Sequence, residues 1–309
     1  MSKRDLTLAL LVIIIWGANF TVIKLGLGGV PPMLLITLRY LLATIPAIFF
    51  VKPPAVGWRY VVLYGATVGI GQFACLFYAM SIGMPASVAS VLLQSQAFFT
   101  LLLSAVLLKE SIKPVQIAGL AVAGCGLFFI GGNWGSSPGA AASIPLFPFL
   151  LTLLAAAFWG LSNIAVRYAD KASSAQGNKL DMLSLVVWSS LVPPLPLFGL
   201  ALLLDKPATL LHTVKNLNLV SIFAVFYLAF GATLFGYYTW SKLLAKYPTS
   251  KVAPLSLLVP VIGLLTARLV LGEQLSRIQW LGCLVIFAGL LIANFGDVLV
   301  KRIFPAKEC

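Results

Sequence analysis

Apolar residues run through this chain in long stretches, and each stretch is closed by a short polar or turn-forming cluster. A bilayer core needs about 20 apolar residues per helix. Ten stretches meet that length, at 6–28, 33–52, 59–81, 86–108, 114–132, 146–168, 182–204, 218–241, 250–271 and 278–298. Gly and Pro punctuate the junctions, as GGVPP at 28–32, GMP at 83–85, GGNWGSSPG at 131–139 and YPTS at 247–250. The first run follows Lys3 and Arg4 as a signal peptide would. It is a full span long, no convincing A-x-A site follows it, and further spans come after, so it reads as the first membrane helix. The pattern predicts an all-α integral membrane protein of ten transmembrane helices.

The pattern also repeats. WGANFTVIK at 16–24 returns as WGLSNIAVR at 159–167, an offset of 143 that pairs Trp16 with Trp159, Gly17 with Gly160 and Lys24 with Arg167. Later positions return at an offset of 163: Tyr64 with Tyr227, Glu110 with Glu273, Gly119 with Gly282, Gly126 with Gly289. The longer loops near 170–181 and 205–217 absorb the difference. This predicts two five-helix repeats, 1–140 and 141–309. Five is odd, so the second copy enters the membrane inverted, an architecture of secondary transporters with substrate bound near the midplane.

Composition fits. Of 309 residues 61% are hydrophobic and 9% charged, where a soluble domain carries about 25% charge. The net charge of +13 does not point to nucleic acid, because the basic residues are scattered singly and form no patch. With the N-terminus placed in the cytoplasm, fifteen of the 21 Lys and Arg fall on that side and three on the other, while Lys24, Arg39 and Arg268 fall within spans. Lys and Arg concentrate in loops left inside, so both termini are expected in the cytoplasm.

Polar groups inside the spans are the candidate chemistry. Trp16, Asn19 and Phe20 share one helix face, and Trp159, Ser162 and Asn163 repeat its spacing. Ser87, Ser90 and Gln94 form a stripe, Gln72 adds an amide, Tyr237 is an aromatic with a polar tip, and Ser256 lies between Pro254 and Pro260. These predict a polar cavity lined chiefly by Trp16, Asn19, Gln94, Trp159 and Asn163. The alternative for each is an interhelical hydrogen bond, worth about 0.6 kcal/mol on average. Lys24 and Arg167 lie near helix ends, where long side chains snorkel. Arg39 lies about two turns into the second span, where a cation costs about 2.5–3.5 kcal/mol on insertion scales. A substrate carboxylate and a helix-terminal carbonyl are equally open as its partner.

No Asp, Glu or His sits in mid-span, so a buried carboxylate relay or sodium cage has no candidate. Nor does a hydrolase or a metal-dependent membrane enzyme. Cys75, Cys125, Cys283 and Cys309 form no ligand cluster and His212 is the one histidine, so no zinc site is expected. Without a P-loop pattern no ATP site is expected, and no cofactor is predicted.

WGANFTVIK, the arginine of LRYLL, QSQAFFT at 94–100, and APLSLLVPVIGLL at 253–265 followed by LGEQL resemble the EamA family of the drug/metabolite transporter superfamily. QSQAFFT, APLSLLVP and VVWSSLVPPLPLF at 186–198 are similar to its cysteine and O-acetylserine exporters. The basic loop KASSAQGNK at 171–179 departs from that subgroup. The resemblance implies two inverted units and a bacterial inner-membrane exporter of small amino acids and related metabolites, and the inverted repeat points to alternating access. Its expected partners are an amino-acid-like small molecule and membrane lipid, with the chain a monomer or weak homodimer. Export of aromatic amino acids or drug-like metabolites, or a non-transporting scaffold or receptor, are the alternatives.

Overall fold

A computed structural model describes residues 1–131, 144–248 and 252–303, and every regular element among them is helical. The polar connection at 132–143, Ser250, Lys251, Lys307, Glu308 and Cys309 lie outside the described residues, as do the side chains of Pro254, Asp297, Lys301 and Arg302. Six helices are long and apolar enough to cross a membrane: α1 Lys3–Leu27, α3 Trp58–Ser81, α4 Ala86–Leu107, α6 Leu146–Ser174, α7 Met182–Leu204 and α8 Leu219–Lys246. Four further apolar helices are α2 Pro32–Ala47, α5 Pro114–Gly131, α9 Val259–Leu271 and α10 Arg277–Ile303. Their outer faces are bare hydrocarbon. Phe50, Leu203 and Leu219 are each more than 80% exposed, which water would penalise and lipid does not.

Local chemistry sets the ends. Ser2 caps α1 by accepting from the Asp5 amide at 3.2 Å, Asp181 caps α7, and Asn218 caps α8 by accepting from the Ser221 amide at 2.8 Å. α9 stops at Gly272, whose φ of 67° suits a residue without a Cβ. Three details differ from the sequence pattern. α2 stops at Ala47, one residue after Pro46, instead of running to 52. α7 breaks between Ser189 and Pro194, because two adjacent prolines remove two amide donors. A short helix, Pro207–Lys215, occupies what reads as a loop.

α5 and α10 pack antiparallel through glycine. A methyl on Gly126 would lie 2.7 Å from the Gly282 carbonyl oxygen, and one on Gly289 would lie 2.6 Å from the Gly119 carbonyl oxygen. Backbone meets backbone there, which only small residues permit. The helix pairs α1–α9 and α6–α4 also cross closely. A methyl on Gly17 would meet Ile262, and one on Gly160 would meet Phe99.

Four segments leave α-helical geometry, three inside the long helices and one before α9. α3 winds as a π-helix over Gly65–Gln72, and α8 does so over Tyr227–Phe235. α4 tightens to 3₁₀ over Leu93–Ser95, and a 3₁₀ segment, Ala253–Leu258, leads into α9. π-turns free carbonyls and shift side-chain register, and they recur at functional sites.

Candidate functional site

Arg39 is a cation buried inside the bundle. It is 3% exposed, on α2. Its Nε and Nη2 donate to the Thr233 hydroxyl at 3.2 and 3.1 Å. The guanidinium carbon lies 4.1 Å from the centre of the Phe73 ring and 5.5 Å from that of Tyr40. Nη1 is buried with no hydrogen-bond partner, and among the described residues no carboxylate pairs with Arg39. An aromatic face is worth about 2 kcal/mol to a desolvated cation, which offsets only part of the penalty for burying it.

The guanidinium faces a cleft among α2, α3, α7 and α8. Tyr64 and Phe73 of α3, Ser189 of α7, and Thr233 and Tyr237 of α8 help line it. The cleft spans about 290 Å³ of space outside the atoms, counted out to open solvent, and its interior has room for at most about one water molecule. A small metabolite enters only if these helices move apart.

The π-turn of α8 builds one wall. The Thr233 hydroxyl donates to the Leu228 carbonyl at 2.8 Å, five residues back. The Ala232 carbonyl accepts the Trp16 indole N–H at 2.9 Å. The Trp16 indole packs 5.5 Å from Tyr237 and 5.3 Å from Trp240, ring centre to ring centre. It passes so close to Gly236 that a methyl there would lie 2.4 Å from Nε1. The Tyr227 hydroxyl donates to the Ile15 carbonyl at 2.8 Å, tying α8 to α1 again.

Of the residues singled out in the sequence, Arg39 and Tyr237 line the cleft and Trp16 stands directly behind Tyr237. The others are not among its lining residues. Asn163 donates to the Gln96 side-chain oxygen at 2.7 Å and to Thr100 at 3.0 Å, a bond between α6 and α4. Gln94 is half-buried in the 3₁₀ turn of α4, Trp159 half-buried in α6, and Ser256 half-buried in the 3₁₀ segment before α9. Asn19 Oδ1 and Gln72 Oε1 are buried without a donor. Thr233, Tyr64, Phe73 and Ser189 were not singled out. Thr233 and Tyr237 stand four apart on one helix face, the spacing that could have flagged them.

Charged groups gather at the helix ends. Lys24 donates to the Met80 carbonyl at 2.6 Å and the Met84 carbonyl at 3.3 Å. Nearby, the Glu273 carboxylate accepts from the amides of Ala86 at 2.8 Å and Ser87 at 2.9 Å, the first turn of α4. Elsewhere Arg167 pairs with Glu110 and donates to Ser104 at 3.2 Å. Arg167 holds the Glu110 carboxyl below the ordinary carboxylate range.

The model of the EamA-like transporter family matches residues 4–132 and 146–295. The chain belongs to the EamA-like transporter family. Among EamA-like relatives, the "probable amino-acid metabolite efflux pump" of Escherichia coli K12 is 44% identical over 296 residues, 96% of each chain. The protein of the same name from Salmonella typhimurium is 44% identical over 297 residues, again 96% of each. The "probable terminal-alkyne amino-acid exporter" of Streptantibioticus cattleyicolor is 25% identical, covering 92% of this chain and 91% of its own. A solved crystal structure shares the fold, with a TM-score of 0.62 at 19% identity over 98% of this chain and 99% of its own. An EamA-like chain with this bare apolar exterior is a multi-pass membrane transporter, not an enzyme.

Proposed function

We propose that this protein exports small amino-acid metabolites, cysteine and O-acetylserine among them, across a bacterial inner membrane by alternating access. The observation that carries the proposal is Arg39, a buried cation with no counter-ion among the described residues and a free Nη1, on the lining of a cleft. A substrate carboxylate completes it. Asn19 Oδ1 and Gln72 Oε1, buried acceptors without donors, suit an ammonium or a water that accompanies it. Trp16, Gln94, Trp159, Asn163 and Ser256 belong on the path that opens as the halves rock apart. The names of the relatives point to the same class of cargo.

The architecture that suits this is ten helices in two inverted repeats, 1–140 and 141–309, with both termini cytoplasmic. The α5–α10 contact supports it. Gly119 and Gly126 correspond to Gly282 and Gly289, and each packs on the counterpart of the other. An antiparallel pair of equivalent helices has a two-fold axis across the helices, which lies in the membrane plane as inverted repeats require. Gly17 on Ile262 and Gly160 on Phe99 are a second related pair.

Proteoliposomes loaded with labelled cysteine, O-acetylserine, phenylalanine or a cationic dye test the cargo. Release of the first two is expected. The aromatic wall of Tyr64, Phe73 and Tyr237 favours phenylalanine as a second reading. Release of the dye alone refutes both, since Arg39 repels a cation. Labelling of residues 109–113 and 272–277 from the same side of the membrane refutes the inverted arrangement.

A further inference from the structure

We infer that Thr233 is a positioning residue that presents Arg39 to a free carboxylate and makes the site reject the corresponding amide. The inference rests on Arg39 being the substrate anchor and goes on to how that anchor selects. A hydroxyl has one proton and two lone pairs. The Thr233 proton is spent on the Leu228 carbonyl at 2.8 Å, so its lone pairs are left to Arg39 Nε at 3.2 Å and Nη2 at 3.1 Å. In an α-helix a threonine hydroxyl reaches the carbonyl three or four residues back. Here it reaches five back, which the π-turn of Tyr227–Phe235 allows. The turn therefore fixes the hydroxyl rotor, and the rotor fixes the guanidinium.

Five N–H donors sit on a guanidinium in a planar fork. Thr233 occupies the side edge formed by Nε and one hydrogen of Nη2. The end edge, formed by Nη1 and the other hydrogen of Nη2, remains, and Nη1 has no protein partner. Two parallel N–H donors match the two oxygens of a carboxylate. A carboxamide presents one oxygen and one NH₂, and the NH₂ meets a donor. Thr233 is 2% exposed and stands on the lining of the same cleft, so water does not substitute freely for its hydroxyl.

The test is Thr233→Val, which keeps the shape and removes the acceptor, beside Thr233→Ser, which keeps the hydroxyl. Both are read in proteoliposomes transporting labelled cysteine, with cysteine and cysteinamide as competitors, or phenylalanine and its amide if phenylalanine is the released cargo. The valine variant is expected to raise KM about tenfold with kcat within about twofold, and to lose most of the acid-over-amide preference, about one charge-assisted hydrogen bond. The serine variant is expected to behave as the parent. If the valine variant does not reach the membrane, Thr233→Ala is read instead with the same expectation. A valine or alanine variant with parental KM and acid preference overturns the inference, as does a serine variant that fails like valine. Arg39→Met separates the two levels. If it transports normally, the anchor itself falls. If it is silent while Thr233→Val is parental, only the role of Thr233 falls.

Discussion

Replacing Arg39 by Met separates what the cation does for the fold from what it does for the cargo. Burial costs a lone ion several kcal/mol even after relaxation. The returns are two hydrogen bonds to one hydroxyl, each about 1.5–3 kcal/mol for a charged donor, and an aromatic face at 4.1 Å worth about 2 kcal/mol. These roughly cancel. Met fills similar length with apolar surface, and Thr233 keeps its own bond to Leu228. The melting temperature of Arg39→Met in detergent is therefore expected to equal or exceed that of the parent. Transport should collapse, because two charge-assisted bonds to a carboxylate are worth about 3 kcal/mol, about a hundredfold in affinity. Arg39→Lys retains charge without the fork, and a KM about tenfold above the parent is expected. Fluorescence-detected chromatography after heating reads stability, and counterflow in proteoliposomes reads transport. A Met variant that melts well below the parent would show a structural pillar instead of a receptor, and parental KM in that variant would refute the anchor outright.

Gly289→Ala puts a methyl 2.6 Å from the Gly119 carbonyl oxygen and 2.7 Å from the Ala123 amide nitrogen, and backbone cannot rotate away, so a loss of about 1–3 kcal/mol is expected in the melt. Gly124→Ala on the partner helix, with nothing within 4 Å, should be silent. Arg167 depresses the Glu110 carboxyl, so the stabilisation it brings is full above the ordinary glutamate value of about 4.3 and fades as pH falls through the lower folded value. Glu110→Gln should accordingly lower the melting temperature slightly near neutral pH and match the parent in strong acid, and an offset that persists in acid contradicts the pairing. Glu273→Gln weakens the cap on the first turn of α4, and amide exchange over residues 86–90 should speed about fivefold for a cap worth about 1 kcal/mol.

The helices were legible because a bilayer imposes one strong, local rule on sequence: about 20 apolar residues, then a break. Their irregularities were less so. Pro193 and Pro194 explain the break in α7, although the apolar run 182–204 reads as one span, and nothing in YLAFGATLF announces a π-turn over Tyr227–Phe235. The site follows the same division. Arg39 is visible as a cation where none belongs, whereas Thr233 looks like any threonine in a membrane helix until the π-turn carries it to Arg39. Asn163 shows the converse, since the residue type that suits a cavity equally suits the α6–α4 hydrogen bond it makes. Side-chain type reports the capacity to bond, and the partner is a property of how helices cross.

The irregular turns bear on how many cargo molecules one chain holds. Shifted by 163 positions, the π-turn at 65–72 falls on 228–235 and the 3₁₀ turn at 93–95 falls on 256–258, inside the segments observed. GATVGIGQ and YLAFGATLF differ widely in glycine, so local propensity does not dictate the shared geometry, which is what the proposed pair of repeats would produce. The chemistry is not duplicated. Ile70 stands where Thr233 has its counterpart, and α7 contains no Lys or Arg to answer Arg39. On the proposed repeat arrangement, the frame would carry one carboxylate receptor, off its axis, with the hydroxyl that aims the cation of the first half supplied by the second. Equilibrium binding of labelled cargo to purified protein should saturate at one molecule per chain and vanish in Arg39→Met. Saturation at two, or residual binding of half the parental amount in that variant, would mean a second receptor that owes nothing to Arg39, and the asymmetry argued from Ile70 would be wrong.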